Sequence, residues 1–156
     1  MRHKAEKELV IPHVVHGRLY VPYFNYYGSL GSEFYQQLRD NKKIMGGKCT
    51  KCEKVYMPPR SVCATCFNNL SQLVEVSPKG TLLTYTVIHY TYSPSYQPLD
   101  VPYAYGIIQL DGADTGLCHL LGEVDLDKIT IGMRLEAVFK DKREGNILDI
   151  KYFRPV

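Results

Sequence analysis

The chain has no tryptophan and no apolar run near the roughly 18 residues that cross a bilayer. The second absence argues against a transmembrane helix. The start is charged, turns apolar only briefly and is interrupted by Pro12, so it does not read as a secretory leader. A soluble cytoplasmic protein is expected. Charge of one sign is lacking too: 19 basic and 16 acidic residues leave +3. So small an excess does not steer a protein to nucleic acid or an anionic membrane, and neither is an expected partner. There is no phosphate-cradling glycine loop, no readable Ser/His/Asp arrangement and no internal repeat.

What the chain does have is cysteine in pairs. Cys49-Thr-Lys-Cys52 is followed after ten residues by Cys63-Ala-Thr-Cys66. Each Cys-x-x-Cys can fold as a tight knuckle that points two sulfurs at one centre. Two knuckles then complete the tetrahedron that zinc accepts. The spacer, Glu53 to Val62, is short and suits a compact ribbon whose hairpin links the knuckles, with Pro58-Pro59 stiffening the return. One structural Zn²⁺ on Cys49, Cys52, Cys63 and Cys66 is the expectation, with iron the less favoured occupant of the same cage. Four thiolates leave no open position, so the metal should fold the chain rather than catalyse. Disulfides would need an oxidising compartment. The position after each second cysteine lacks the common glycine, being Glu53 and Phe67, so Lys54 or Asn68 is expected to take the left-handed turn.

The remainder divides by composition. Residues 1–28 form an arm, and Arg18 to Gly28 holds five aromatics. Pro22 and Gly28 argue against a long helix there. So sticky an arm either folds back or docks on another protein, and docking is the favoured reading, with Tyr23, Phe24 and Tyr27 as contacts. A helix is expected over 32–44, capped by Ser32, with Glu33 in its first turn and Gly46-Gly47 stopping it. Phe34, Tyr35 and Leu38 share a face. Packing on the chain's own core is the usual fate of such a stripe, and docking on a partner is the alternative. Residues 71–156 are strand-rich, with strands expected at 72–77, 81–89, 103–110, 115–124, 134–139 and 147–153. A short helical turn is expected between 125 and 132. Short strands without βαβ alternation suggest a small antiparallel barrel or sandwich.

Other candidate groups carry less. Cys118 and His119 are adjacent, but strand neighbours point to opposite faces, so they do not form a nucleophile pair. Cys118 is expected to be a small buried core residue. His3, His13, His16 and His89 have no carboxylate partner at a recognisable spacing. The proline-stiffened segment 90–103 reads as a long loop that either lines a ligand or partner surface or covers one end of the barrel. Arg60 is a candidate for an anionic group such as a coenzyme phosphate, although a solvated arginine is commoner.

Taken together, several stretches resemble the DUF35 family. They are Gly31-Ser-Glu-Phe-Tyr-Gln-Gln-Leu-Arg39, Cys52-Glu-Lys-Val-Tyr-Met-Pro-Pro-Arg-Ser-Val-Cys63, Gly80-Thr-Leu-Leu-Thr-Tyr-Thr-Val87 and Ile131-Gly-Met-Arg-Leu-Glu-Ala-Val-Phe139. The resemblance implies a mainly β chain: arm 1–28, docking helix 29–47, rubredoxin-like zinc ribbon 48–70, and an OB-fold over 71–156 as a five-stranded antiparallel barrel. It also implies an accessory, non-catalytic subunit of a thiolase-type acyl-CoA enzyme, in a setting such as anaerobic aromatic degradation. Helix and ribbon would dock on the large thiolase-fold subunit through Tyr23, Phe24, Tyr27, Phe34, Tyr35 and Leu38. The barrel would lie near the acyl-CoA entrance, with Arg60 as a CoA contact. Two other classes remain. One is a single-stranded nucleic-acid module stacking bases on tyrosines, which the charge disfavours. The other is a rubredoxin-like electron carrier, which needs iron.

Overall fold

The computed structural model describes residues 11–17, 21–91 and 99–156. Half of the 90–103 loop (92–98) and residues 1–10 and 18–20 of the arm lie outside these residues. Helix α1 runs Gly28–Asn41 and is followed by β1 (Ile44–Lys48), β2 (Val55–Tyr56) and β3 (Gln72–Val76). The barrel strands are β4 (Lys79–Ile88), β5 (Tyr103–Leu110), β6 (Gly116–Leu121), β7 (Arg134–Phe139) and β8 (Ile150–Pro155). Single 3₁₀ turns sit at Leu126–Lys128 and Ile147–Asp149. Among the described residues no helix is long and apolar enough to cross a membrane.

The helix begins earlier than expected. Ser32 does not cap it; its hydroxyl donates back to the Gly28 carbonyl at 2.7 Å, one turn inside. Glu33 therefore sits outside the first turn, which holds no acidic residue. The helix ends at Lys42, whose left-handed φ of 55° lets its amide reach the Gln37 carbonyl. Gly46 and Gly47 do not stop it. They lie within β1, where a Cβ on Gly46 would fall 2.5 Å from Val55 Cγ1. Close approach of neighbouring chain, not a turn, is what requires glycine there.

β1 pairs with both β2 and β3, giving an antiparallel three-stranded sheet that passes straight into β4. The other five strands close in the order β4-β5-β6-β8-β7, with β7 returning to β4. This is the expected OB-type barrel with one correction: β6 and β8 pair in parallel, so the sheet is mixed rather than antiparallel. Residues 147–149 form a 3₁₀ turn, not strand, because Asn146 caps Leu148 and Asp149 turns back on the preceding amides.

Leu82, Ile108, Leu110, Leu135, Ile150 and Phe153 fill the barrel. They belong to the same buried cluster as Phe34, Leu38, Ile44 and Val76. Helix, ribbon sheet and barrel thus share one core. That answers the question left by the α1 stripe: Phe34 and Leu38 are 1% and 0% exposed, packed on their own chain, and have no surface to offer a partner. Burying each such side chain contributes about 1.5–3 kcal/mol.

Two polar ties fix the pieces. The buried Asp149 carboxylate accepts the amides of Glu144 (2.8 Å) and Gly145 (2.7 Å). The loop so ordered aims Arg143, whose Nε donates to the Arg39 carbonyl at 2.6 Å near the end of α1.

Candidate metal centre

The two knuckles repeat one hydrogen-bond pattern. In the first, the Cys49 amide donates to the Lys54 carbonyl (2.9 Å) and the Glu53 amide to the Cys49 carbonyl (2.8 Å). In the second, Cys63 donates to Asn68 (2.9 Å) and Phe67 to Cys63 (3.1 Å). The residues that turn left-handed are Glu53 (φ 60°) and Phe67 (φ 55°) themselves. The expectation that Lys54 or Asn68 would do so is corrected, because the tight turn needs positive φ directly after the second cysteine. A side chain in this region costs about 1–2 kcal/mol.

The pattern brings all four Sγ atoms within 4.8 Å of one another. The Cys49–Cys66, Cys52–Cys63 and Cys52–Cys66 separations are 3.4, 3.5 and 3.9 Å. Sulfurs at the usual Zn–S length of about 2.3 Å form a tetrahedron with edges of about 3.8 Å, so the cage fits one such cation. Its wall is apolar: Cys49, Cys63, Tyr56 and Leu70 form a buried cluster on which Leu30 of α1 packs.

Tyr56 is the residue that spacing alone did not reveal. Its hydroxyl accepts the Ala64 amide at 3.2 Å and lies 3.2 Å from Cys63 Sγ, positioned to donate to it. The hydroxyl, then burial working the other way and then the Cys66 and Thr65 amides, set the Cys63 thiol, which is held down to about 5. The Asn68 amide favours a thiolate at Cys66, but burial and the neighbouring sulfurs outweigh it and push that thiol up to about 12. Four negative sulfurs this close repel one another, and a divalent cation at their centre turns the repulsion into attraction.

The cage is tied to the barrel by residues 59 and 58 positions away in sequence. Asp114 Oδ2 accepts the Val55 amide at 2.7 Å, and Thr115 Oγ1 accepts the Met57 amide at 2.7 Å. No sequence spacing signals such a long-range pair.

The other predicted site residues are scattered. Tyr23, Phe24 and Tyr27 are exposed. Tyr35 is half-buried, edge-on to Tyr27 with ring centroids 4.8 Å apart. Arg60 stands over the Tyr56 ring at 5.4 Å. It borders a cleft of about 360 Å³ between the start of α1 and the ribbon spacer, lined also by Tyr26, Tyr27, Ser61 and Leu70. Cys118 is exposed, not buried as expected, and His119 takes the inward position. Its Nε2 lies 3.2 Å from the Ile147 carbonyl. The period-two set Leu117, His119, Leu121 carried that signal.

Comparison with known proteins extends this picture. Residues 37–70 match the family described as ChsH2, rubredoxin-like zinc ribbon domain, and residues 73–140 the ChsH2, C-terminal OB-fold domain. A DUF35 domain-containing scaffold protein of Methanothermobacter thermautotrophicus is 32% identical over 104 residues, covering 65% of this chain and 74% of the relative. The chain belongs to the DUF35 family. Another DUF35 scaffold protein, from Methanocaldococcus jannaschii, is 28% identical over 130 residues, with 78% of this chain and 88% of the relative covered. A structure described as an Ltp2-ChsH2(DUF35) aldolase superposes with a TM-score of 0.62 at 24% identity, covering 86% of this chain and 98% of that one. A DUF35 protein of unknown function from Sulfolobus solfataricus gives 0.58 at 26% identity, covering 74% and 81%.

Proposed function

We propose that this DUF35 chain is a non-catalytic scaffold subunit of a thiolase-type acyl-CoA enzyme, with one structural zinc on Cys49, Cys52, Cys63 and Cys66. The observation that carries the reading is a closed four-sulfur cage, locked to a barrel through Asp114 and Thr115, beside an arm whose described aromatics face outward. A closed cage crosslinks the fold and leaves no position for substrate. The adjacent Cys118 and His119 point to opposite faces, and His119 faces a backbone carbonyl, so they do not work as nucleophile and base. Relatives described as scaffold proteins, and a fold neighbour described as an Ltp2-ChsH2(DUF35) aldolase, support the partnership.

In this reading Tyr23, Phe24 and Tyr27 contact the large subunit, with anaerobic aromatic degradation as the candidate setting. Arg60, at the cleft beside the start of α1, offers a guanidinium to a CoA phosphate. Protein is favoured over nucleic acid as the partner. The hollow on the barrel exterior is lined by Thr84, Tyr85, Thr86, Tyr105, Ile107 and Cys118, with no cation to neutralise a phosphate.

Affinity purification from native extract tests the proposal. A stoichiometric thiolase-fold chain, with one zinc and no iron by elemental analysis, is the expected result. Elution as a lone monomer overturns the scaffold role. One iron per chain turns the reading toward electron transfer.

A further inference from the structure

The second knuckle carries a feature that the fold itself does not use. Phe67 is 80% exposed and holds a φ of 55°, where a glycine would be unstrained. Its backbone bond to Cys63 needs no side chain. Its ring belongs to neither buried cluster. A large apolar side chain in water, at a position that glycine would fill at lower cost, is a feature that the ribbon's own packing does not explain. The equivalent residue of the first knuckle, Glu53, bears the same strain but is an ordinary solvated carboxylate, 3.9 Å from Lys48 Nζ.

The surroundings define the chemistry of what covers the ring. The two knuckles are held side by side by Asn68 Nδ2 donating to Thr50 Oγ1 and Lys54 Nζ to Thr65 Oγ1, both at 3.2 Å. Exposed Lys51 and Lys54 therefore stand, with the one exposed carboxylate of Glu53 between them, on the knuckle beside the one that carries Phe67, and leave it cationic. We infer that Phe67 is the ribbon's anchor for the large subunit, entering an apolar pocket on that protein whose rim is acidic. Aromatic side chains are typical anchors of interface centres, with charged groups left to the rim. The inference rests on the scaffold reading and names the contact through which it acts. The small net charge favours a protein over an oligonucleotide as the occupant.

The test compares full-length wild type, Phe67→Gly, Phe67→Asn and Glu53→Gly, each expressed in the native host and purified with its bound partner. Asparagine tolerates positive φ, so it tests the ring with the turn kept. Both Phe67 variants are expected to keep one metal per chain and to melt no lower than wild type, with glycine up to a few degrees higher. Both are expected to lose at least tenfold in partner affinity, while Glu53→Gly keeps it. Retained capture by the Phe67 variants, with wild type also capturing the partner, overturns the anchor and leaves the scaffold reading intact. Wild type capturing no partner overturns both. Metal loss in both Phe67 variants assigns the ring to the ribbon's own stability and overturns the inference. So does Phe67-dependent self-association, or Phe67-dependent binding to a single-stranded oligonucleotide.

Discussion

Asp114 and Val55 form a two-way tie: Asp114 Oδ2 accepts the Val55 amide at 2.7 Å, and the Asp114 amide donates to the Val55 carbonyl at 2.8 Å. Val55 starts the short strand β2 next to the sulfur cage, and Asp114 lies in the β5–β6 connection of the barrel. The edge of the ribbon sheet is thereby finished by the barrel instead of by water. This is how a small metal module acquires a fixed orientation on a second module.

Removing the side-chain half of that tie has a bounded effect. Asp114→Ala is expected to lower stability by about 1–2 kcal/mol, since the Val55 amide loses its acceptor while the backbone bond remains. Hydrogen exchange at Val55 should accelerate while the barrel core stays protected. Unchanged exchange at Val55 would show that the carboxylate is not holding the ribbon edge.

The cage itself is expected to be all-or-none. Cys52→Ser removes one of four ligands, and because binding energy of a structural metal is folding energy, residues 44–76 are expected to lose their sheet. A strong chelator should do the same to the wild type. Metal content by mass spectrometry and amide spectra of the ribbon residues check this. A ribbon that stays ordered without metal contradicts the structural role.

Tyr56→Phe isolates the contribution of one hydroxyl. The change strips the donor positioned at Cys63 Sγ and leaves the Ala64 amide without its acceptor. Loss of such an outer partner typically lowers metal affinity 10–100-fold. The sign of the pH effect follows. Tyr56 is the largest influence holding the Cys63 thiol down to about 5, so its removal raises that thiol and lets protons compete better for the sulfur. The midpoint of acid-induced metal release should move to higher pH, read by a chromophoric chelator. An unmoved midpoint would remove Tyr56 from the site.

How much of this was readable in advance follows from the range of each signal. The sulfur cage was legible because its four ligands lie in two turns, and turns are local. The strands and the OB-type closure were legible from Val, Ile, Thr and Tyr density and from the motifs shared with the family. The start of α1 was not, because Ser32 bonds inward to Gly28 and so mimics a cap five residues after the true one at Tyr27. Gly46 and Gly47 read as a stop, yet they serve a close strand contact that exists only in three dimensions. The inward choice of His119 over Cys118 was decided by Leu117 and Leu121 on the same face. The clamp of Asp114 and Thr115 on the ribbon joins residues nearly 60 apart, where no local pattern reaches.

His119 gives the barrel a calculable weakness toward acid. The ring is 4% exposed, edge-on to Phe153 with centroids 5.7 Å apart, with Nε2 near the Ile147 carbonyl and no partner for Nδ1 among the described residues. Burial, opposed by the Ile147 and Leu120 backbone groups and assisted by Lys140, holds its pKa below the ordinary 6.5. A group that binds its proton more weakly when folded favours unfolding once the unfolded chain takes that proton up. The full contribution is therefore present above pH 6.5 and falls away as the pH drops below it. Urea unfolding at pH 7.5 and 5.5 should show the wild type weaker at the lower pH. His119→Gln, which keeps a donor for Ile147 but cannot titrate, should show a smaller loss over that interval than the wild type. Asp111 and Glu123, held down chiefly by hydrogen bonds from Arg134 and from Tyr152 and Arg154, titrate at lower pH, while the Cys63 thiol, held down to about 5, weakens both proteins alike in this window, so the difference between the two proteins isolates His119. If both proteins lose equal stability between pH 7.5 and 5.5, a group other than His119 carries the acid sensitivity.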